Sequence, residues 1–321
     1  MLERTDFSKK QIIFLFSNRG EKIFFRNGNV IISDKEGKIK YQVTCYLVFI
    51  LFIVGDASIT TGIIRQAKKF GFVICLMTQS FKLYAVIGNR MEGNTLLHRK
   101  QYEYDSDEIA QFIVTNKILN QRQALNTFRK KSTANKEAIE KLDIYLENLR
   151  NEKLDEKSLL GIEGSASRVY FPQMFDNVNW KGRKPRIKCD YINTTLDIGY
   201  NMLFNLVDSL LQVYGFDVSC GVYHKEFYMR KSLVCDLMEP MRTIIDLEVR
   251  KAINLGQCKE KDFQTIQKQY VLSYKESASY ITFLMNAILE HKDDMFLFIR
   301  QYYRAFMKNK AISEYEMFGV N

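Results

Sequence analysis

Four side chains in the second half of the chain have the types that bind a divalent cation. They are Glu163, His224, Asp236 and Glu239. Carboxylates suit Mg²⁺ or Mn²⁺, and an added imidazole favours Mn²⁺ and other transition metals over Ca²⁺. A cation held there could neutralise a phosphodiester and activate an attacking oxygen. Because these residues are widely spaced in sequence, their convergence on one ion is a hypothesis.

Each of these residues also has an ordinary structural explanation. Glu163 lies among small residues at 161–170, where the pattern predicts a close-packed helix start with the carboxylate in its first turn. The small residues also predict that another backbone comes close to Glu163. His224 lies in an irregular stretch between two helices, where it could be structural or simply exposed. Asp236 and Glu239 are three residues apart, so they could form the solvated face of an amphipathic helix.

A basic loop at residues 180–188 follows the Glu163 segment and begins with the only tryptophan of the chain. Such loops bind phosphate backbones, although a solvated surface loop is the plain alternative. Beside a metal site, the loop would hold the flanking backbone while the metal acts on the scissile phosphate. The predicted DNA-binding residues are Arg168, Lys181, Arg183, Lys184, Arg186, Lys188 and Arg242.

Composition narrows the classes of function. The 47 Lys and Arg residues against 37 Asp and Glu give a net charge of +10. This charge favours a polyanionic partner or an anionic membrane surface, and a mildly basic cytosolic protein is the plain alternative. The longest apolar run, at 46–54, is too short to span a bilayer and predicts a buried strand or core helix segment. Six cysteines without zinc-like spacing, and no secretory signal pattern, predict reduced thiols and a cytoplasmic protein. The absence of a P-loop, a dinucleotide fingerprint and a G-x-S-x-G motif disfavours nucleotide-dependent and acyl-transfer enzymes.

Strand and helix patterns divide the chain into two parts. Up to about residue 90, short β-type runs alternate with turn signals at 18–20, 27–28 and 34–37, and one helix is predicted at 61–70. Beyond about residue 102 the apolar period becomes helical. The pattern predicts an α+β protein with a small β-rich domain at 1–95 and a larger all-α domain at 96–321. The later helical patterns fall at 194–214, 232–252 (where Pro240 should bend the helix), 261–274, 278–291 and 293–308.

Several short motifs follow one another in an order that is specific as a set. They are Gly-Asp-Ala-Ser-Ile-Thr-Thr-Gly at 55–62, Lys-Ile-Leu-Asn-Gln at 117–121, Gly-Ile-Glu-Gly-Ser-Ala at 161–166 with Tyr170, the Gly-Tyr end of 193–200, Gly-Val-Tyr-His at 221–224, and 232–239 with Arg242. Over nearly its whole length the chain resembles the CRISPR-associated integrase of the adaptation module, the Cas-one family. Where that family often has a second glutamate after the Asp-x-x-Glu unit, this chain has Pro240.

The resemblance implies a β-sandwich-like N-terminal domain for dimerisation and partner contact, and a helical catalytic domain that binds metal and DNA. Glu163, His224 and Glu239 are the implied catalytic residues and ligands of Mg²⁺ or Mn²⁺. Asp236 is a further acidic group, either a ligand or a support for one. The implied partners are double-stranded DNA (the incoming spacer DNA and the CRISPR repeat), a second copy in a homodimer, and a small dimeric Cas-two protein, with no membrane.

These implications predict a metal-dependent DNA transesterification. The 3′-hydroxyl of an incoming DNA end would attack a phosphodiester at the boundary of a repeat. One alternative is a metal-dependent DNA endonuclease that uses water as the nucleophile and does not integrate. The other is a basic DNA-binding or scaffolding protein whose acidic residues are only surface charge.

Overall fold

The computed structural model describes residues 3–79, 83–88, 94–224 and 228–319, apart from the side chains of residues 18 and 19. It divides into two compact units. One comprises Met1–Gly93 with Gln212–Gly215, and the other comprises Asn94–Leu211 with Phe216–Asn321. This division falls close to the predicted boundary between residues 95 and 96, apart from the short Gln212–Gly215 segment. The α+β fold class is confirmed.

The first unit is built on one hydrogen-bonded mixed sheet. Its strands are β1 (Gln11–Arg26), β2 (Asn29–Ser33), β3 (Ile39–Thr44), β4 (Val48–Ile59), β5 (Val73–Met77) and β6 (Leu83–Gly88), in the order β3-β2-β1-β4-β5-β6. The pairs β1–β4 and β4–β5 are parallel, and the other pairs are antiparallel. The sandwich-like domain indicated by the resemblance is therefore built from strands that hydrogen bonds join into a single sheet.

The apolar run at 46–54 supplies the central strand of this sheet. Residues 48–54 of β4 are all buried, because β1 and β5 cover both edges of the strand and its side chains pack into the core of the unit. Helix α1 (Arg4–Ser8) precedes the sheet. Helix α2 (Thr61–Phe70) packs Ile63 and Ala67 into the same core and ends at Gly71, whose φ of 71° suits a left-handed helix end.

Two of the three predicted turns are present, and the first is wrong. Asn27 and Gly28 have φ of 48° and 78°, which is the geometry of a two-residue hairpin turn between β1 and β2. Gly37 closes the turn at 34–37 by donating to the Asp34 carbonyl at 3.1 Å. At 18–20 the chain instead continues as β1 with a register irregularity, because both halves of the strand pair with the long parallel strand β4.

The second unit is mainly helical. Its helices are α3 (Thr95–Tyr102), α4 (Glu108–Asn126), α5 (Thr133–Asn151), α6 (Glu156–Met174), α7 (Tyr191–Tyr214), α8 (Ser232–Met238), α9 (Arg242–Asn254), α10 (Tyr274–Glu290) and α11 (Lys292–Met307), with 3-10 turns at Glu239–Met241, Glu260–Asp262 and Ile312–Glu314. No helix within the described ranges is long and apolar enough to cross a membrane.

The helix predicted at 261–274 is wrong. This segment forms a hairpin of β7 (Phe263–Ile266) and β8 (Gln269–Leu272), whose turn residues Gln267 and Lys268 have φ of 49° and 62°. Phe263 packs edge-on against Tyr280 of α10, with ring centroids 5.5 Å apart, so burial of an aromatic side chain anchors the hairpin.

The helix predicted at 232–252 is interrupted where Pro240 stands. Helix α8 ends at Met238, a 3-10 turn covers Glu239–Met241, and α9 starts at Arg242. The carbonyl of Pro240 accepts a hydrogen bond from Nδ2 of Asn120 at 2.8 Å, so the break is tied to α4. The turn aims Glu239 into the interior of the unit, where the side chain is buried.

Candidate active site

Glu163 lies in the middle of α6, not in its first turn. The helix begins at Glu156, and the Asp155 side chain caps it by accepting from the Ser158 amide at 2.9 Å. The helix-dipole explanation for Glu163 is therefore wrong. The expected close approach is also wrong at the two glycines beside Glu163, since a Cβ added at Gly161 or Gly164 would meet no atom within 4 Å.

Glu239 is buried between two cations. Its Oε1 accepts from the guanidinium of Arg242 at 2.9 Å, and its Oε2 lies 2.6 Å from Nζ of Lys117. Burial alone would raise the pKa of Glu239, but Arg242 and Lys117 outweigh burial and lower the pKa to about 2. Glu239 is therefore held as a carboxylate, and the solvated acidic face is ruled out for it.

Lys117 of α4 joins the two glutamates. Its ammonium contacts Oε1 of Glu163 as well as Oε2 of Glu239, and the residue is 8% exposed. Burial lowers the pKa of Lys117, yet Glu239 and Glu163 together raise it above its usual value, so the ammonium is charged. Sequence reasoning missed this residue, although the Lys-Ile-Leu-Asn-Gln motif contains it and a lysine within an apolar helix face was the available signal.

Asp236 organises the loop that carries His224. Its carboxylate accepts hydrogen bonds from three backbone amides: that of Val222 at 2.7 Å, that of Tyr223 at 3.0 Å and that of His224 at 3.0 Å. Oδ1 of Asp236 also lies 2.6 Å from Nδ1 of His224. A carboxylate bonded to one ring nitrogen fixes the imidazole plane and leaves the other nitrogen as the ligand atom, which is the usual arrangement behind a metal-binding histidine. The fully buried Asp236 is therefore not part of a solvated acidic face.

The close backbone approach occurs at Gly221 rather than at the glycines beside Glu163. A Cβ at Gly221 would lie 2.6 Å from the His224 carbonyl oxygen and 2.6 Å from Cβ of Ser232. It would also lie 2.9 Å from Oδ2 of Asp236. Only glycine therefore lets the histidine loop fold tightly over the start of α8.

Tyr223 connects the histidine loop with Glu163. Its hydroxyl donates to Oε2 of Glu163 at 3.2 Å, and its ring packs edge-on against His224 with centroids 4.9 Å apart. Burial and the neighbouring Glu163 both raise the pKa of Tyr223, so the phenol stays protonated and donates. The motif at 221–224 contained this residue, but no sequence signal gave it a role.

Arg242 belongs to a buried network behind Glu239. Its guanidinium lies over the ring of Tyr200, 4.7 Å from the centroid, while it holds Glu239. The hydroxyl groups of Tyr200 and Tyr170 both donate to Asp246, the latter at 2.9 Å. Burial raises the pKa of Asp246 to about 6 despite these donors. The DNA contact predicted for Arg242 stays a prediction, and the residue has a structural partner in Glu239.

The basic loop at 180–188 is pinned by side chains of α7. The amide of Lys184 donates to Oδ1 of Asn193 at 2.8 Å, and the amide of Arg186 donates to Oδ2 of Asp197 at 3.1 Å. The guanidinium of Arg183 pairs with Asp197 at 2.6 Å and is mostly covered. Arg183 therefore stabilises the shape of the loop through its ion pair with Asp197.

The other predicted DNA-binding residues are more accessible. Lys181, Lys184 and Arg186 are exposed on the loop, and Lys188 is half-buried. Its carbonyl accepts from the Tyr270 amide of β8 at 2.8 Å, so the missed hairpin supports the end of the loop. Arg168 is exposed on α6, and its guanidinium donates to the Ser165 hydroxyl at 3.1 Å.

The candidate ligands have the donor atoms that a divalent cation needs, but they are not gathered around one point. Glu163 and Glu239 come from different elements and meet at one positive charge, the ammonium of Lys117. The ring of His224 packs against Tyr223, whose hydroxyl donates to Glu163. Within the described residues, however, no three His, Cys, Asp or Glu side chains form a ready cluster of ligands. The Lys117 ammonium lies between the two carboxylates, at the position that a bridging metal cation would take.

Comparison with known proteins gives one family. Residues 14–285 match the family model described as CRISPR associated protein Cas1. A "CRISPR-associated endonuclease Cas1 1" from Thermodesulfovibrio yellowstonii is 32% identical over 219 residues, covering 64% of this chain and 69% of the relative. Two solved structures share the fold at lower identity. One is a "Cas6-RT-Cas1--Cas2 complex", with a TM-score of 0.80 at 21% identity over 96% of this chain and 36% of that one. The other is a "Casposase bound to integration product", with a TM-score of 0.76 at 19% identity over 97% of this chain and 96% of that one. The chain belongs to the CRISPR-associated Cas1 family.

Proposed function

We propose that this Cas1 protein is a metal-dependent DNA integrase that inserts short DNA segments at the repeat boundaries of a CRISPR array. The proposal is carried by one observation: Glu163 and Glu239 converge on a single buried positive charge, and Tyr223 joins Glu163 to the loop whose imidazole Asp236 orients. Two carboxylates and an oriented imidazole are suitable ligands for Mg²⁺ or Mn²⁺ at a phosphodiester. The names of the relatives, which include endonucleases, support chemistry on the same class of bond.

In this proposal Glu163, Nε2 of His224 and Glu239 would hold the cation. When bound, Mg²⁺ or Mn²⁺ supplies positive charge that stabilises the charge developing on the phosphate under attack. Tyr223 fixes the orientation of Glu163 through its hydroxyl. The 3′-hydroxyl of the incoming DNA gives up its proton as its oxygen bonds to the phosphorus at the repeat boundary. The bond from that phosphorus to the 3′-oxygen of the target strand breaks, and this oxygen takes up a proton and leaves as a hydroxyl.

Contacts with DNA would extend from this site to the basic loop. Lys181, Lys184 and Arg186 present exposed cations that can neutralise phosphates on either side of the reacting bond. Arg183 would act indirectly, because its pair with Asp197 keeps the loop in its observed shape. This division separates residues that position the DNA backbone from those that act at the scissile bond.

The proposed partners are a second copy of the chain and a small dimeric Cas2 protein. One solved structure of the same fold is the "Cas6-RT-Cas1--Cas2 complex", and another is the "Casposase bound to integration product". The net charge of +10 supports binding to DNA over a neutral or acidic substrate. Co-purification with Cas2, followed by measurement of the mass of the complex, tests this assignment.

A rival function, cleavage of DNA without joining, is favoured by the word endonuclease in the relatives' names. Integration is tested with a plasmid that carries a CRISPR repeat and with short duplexes ending in either a 3′-hydroxyl or a 3′-dideoxynucleotide, with Mn²⁺ or with a chelator. We expect joined products only with the 3′-hydroxyl and the metal. Cleavage of the plasmid at equal rates with both duplexes, without joined product, would leave the endonuclease as the function.

A further inference from the structure

Each of the four carboxylate oxygens of Glu163 and Glu239 contacts a cationic or hydroxyl group of the protein. Lys117 contacts one oxygen of each carboxylate. The Tyr223 hydroxyl donates to the second oxygen of Glu163 at 3.2 Å, and Arg242 donates to the second oxygen of Glu239 at 2.9 Å. A cation that bridges the two carboxylates would therefore take the position between them that the Lys117 ammonium fills.

Charge gives the same conclusion. Lys117 and Arg242 carry two positive charges, which balance the two negative charges of Glu163 and Glu239. A divalent cation added to this balanced set would lie within a few ångströms of two other cations in a largely buried space. Repulsion between like charges is strong where little water screens it. One of the two side chains must therefore leave for the site to load.

Of the two cations, Lys117 is the one free to leave. Arg242 is held by its planar guanidinium, which lies 4.7 Å from the centroid of the Tyr200 ring while it pairs with Glu239. The ammonium of Lys117 sits on a flexible four-carbon stem, which can change rotamer without moving α4. Lys117 is also the donor shared by both carboxylates, so its departure frees one oxygen on each.

We propose that Lys117 is an internal counter-cation, which holds Glu163 and Glu239 together and is displaced from both carboxylates when a divalent cation binds. The inference rests on the proposed metal site. In addition, Lys117 and the divalent cation compete for the same two carboxylates. The lysine reduces the repulsion between Glu163 and Glu239, and it thereby lowers the affinity of the site for metal. Metal binding and the Lys117 ion pairs exclude one another.

The competition is tested by measuring Mn²⁺ affinity in the purified full-length protein, from the electron paramagnetic resonance signal of unbound Mn²⁺. We expect the Lys117→Met variant to bind Mn²⁺ at least tenfold more tightly than the wild type. Lys141→Met is the matched control, because it makes the same replacement at an exposed lysine of α5 in the same unit. Its affinity for Mn²⁺ should change less than threefold.

Thermal unfolding gives a second readout that does not depend on activity. In the presence of a chelator, Lys117→Met should melt below the wild type, because Glu163 and Glu239 then repel each other without a shared cation. Saturating Mn²⁺ should raise its melting temperature more than that of the wild type. If Lys117→Met is insoluble, Lys117→Gln is measured instead. Failure of both variants to fold even with Mn²⁺ overturns the proposal, because metal then cannot replace the lysine.

The remaining outcomes separate this inference from the function on which it rests. Mn²⁺ binding by the wild type with equal or weaker binding by Lys117→Met overturns the counter-cation and leaves the metal site intact. A gain of the same size in Lys141→Met also overturns it, since the overall charge of the protein would then explain the effect. No Mn²⁺ binding by either the wild type or Lys117→Met overturns the counter-cation and the proposed metal site together.

Discussion

The buried carboxyl of Asp246 makes the stability of the helical unit depend on pH in an unusual direction. Asp246 accepts hydrogen bonds from Tyr170 of α6 and Tyr200 of α7, and Arg183 and Arg242 also act on it electrostatically. Burial nevertheless raises its pKa from 3.8 to about 6. The folded protein therefore holds a proton on Asp246 that the unfolded chain has already lost between these two pH values.

The magnitude follows from that difference. At 1.36 kcal/mol for each pKa unit, the shift corresponds to about 3 kcal/mol of stability. This contribution is fully present below the unfolded pKa of 3.8 and is lost as the pH rises through the folded value of about 6. Between pH 4 and pH 8 the free energy of unfolding should lose about 2 kcal/mol from this group alone.

Asp246→Asn removes the titration while preserving the size of the side chain. Urea unfolding of the wild type and the variant would be followed at pH 4 and pH 8 by the fluorescence of Trp180. This single tryptophan packs against Phe175, the residue that follows α6, with centroids 4.8 Å apart, so it reports on the helical unit. Groups other than Asp246 titrate in both proteins, so their contributions cancel in the difference between the two free energies of unfolding.

We expect the stability advantage of the wild type over Asp246→Asn to be about 2 kcal/mol smaller at pH 8 than at pH 4. Tyr200→Phe serves as a check, because loss of a donor to the carboxylate should raise the pKa of Asp246 further and move the transition to higher pH. An advantage that is constant with pH, or one that grows as the pH rises, would refute a protonated Asp246 in the folded protein.

Two further predictions concern the histidine loop and the basic loop. Gly221→Ala should lower the free energy of unfolding by about 1–3 kcal/mol and abolish strand joining, because its Cβ would meet the His224 carbonyl oxygen at 2.6 Å. Gly164→Ala, with open space around the added methyl group, should keep activity and gain up to about 1 kcal/mol in urea unfolding; equal effects of the two changes would contradict the tight loop. Combined replacement of Lys181, Lys184 and Arg186 by alanine should weaken DNA binding and reduce the slope of log affinity against log salt by roughly 2–3. The same replacement of the exposed α5 lysines Lys136 and Lys141 should leave the slope unchanged, and an equal loss there would show that only overall charge matters.

The elements of the fold that the sequence could predict are those set by the backbone preferences of individual residues. The hairpin turn at Asn27 and Gly28 was predictable because these residue types favour positive φ. The hairpin between β7 and β8 was missed because its turn residues, Gln267 and Lys268, adopt positive φ without any of the usual turn residues. The break at Pro240 was predictable because proline lacks the backbone donor that a helix needs.

In the candidate site, residue type and spacing identified the acidic and imidazole groups but not their partners. Asp236 and His224 could be grouped because they lie on consecutive elements, and the structure joins them by a contact of 2.6 Å. Lys117 and Tyr223 depend on contacts with Glu163 across 46 and 60 residues of chain, and no periodic pattern reports such contacts. Burial reverses the expectation for Glu239, from a solvated face to an enclosed ion pair.

The central claim, that Glu163 acts at the site of DNA joining, is tested most directly by strand joining with Glu163→Gln in the presence of Mn²⁺. Glu140→Gln on α5, which removes an exposed carboxylate, is the matched control. We predict that Glu163→Gln loses joined product while its DNA affinity stays within a few-fold of the wild type, and that Glu140→Gln joins normally. Full joining by Glu163→Gln would contradict the account.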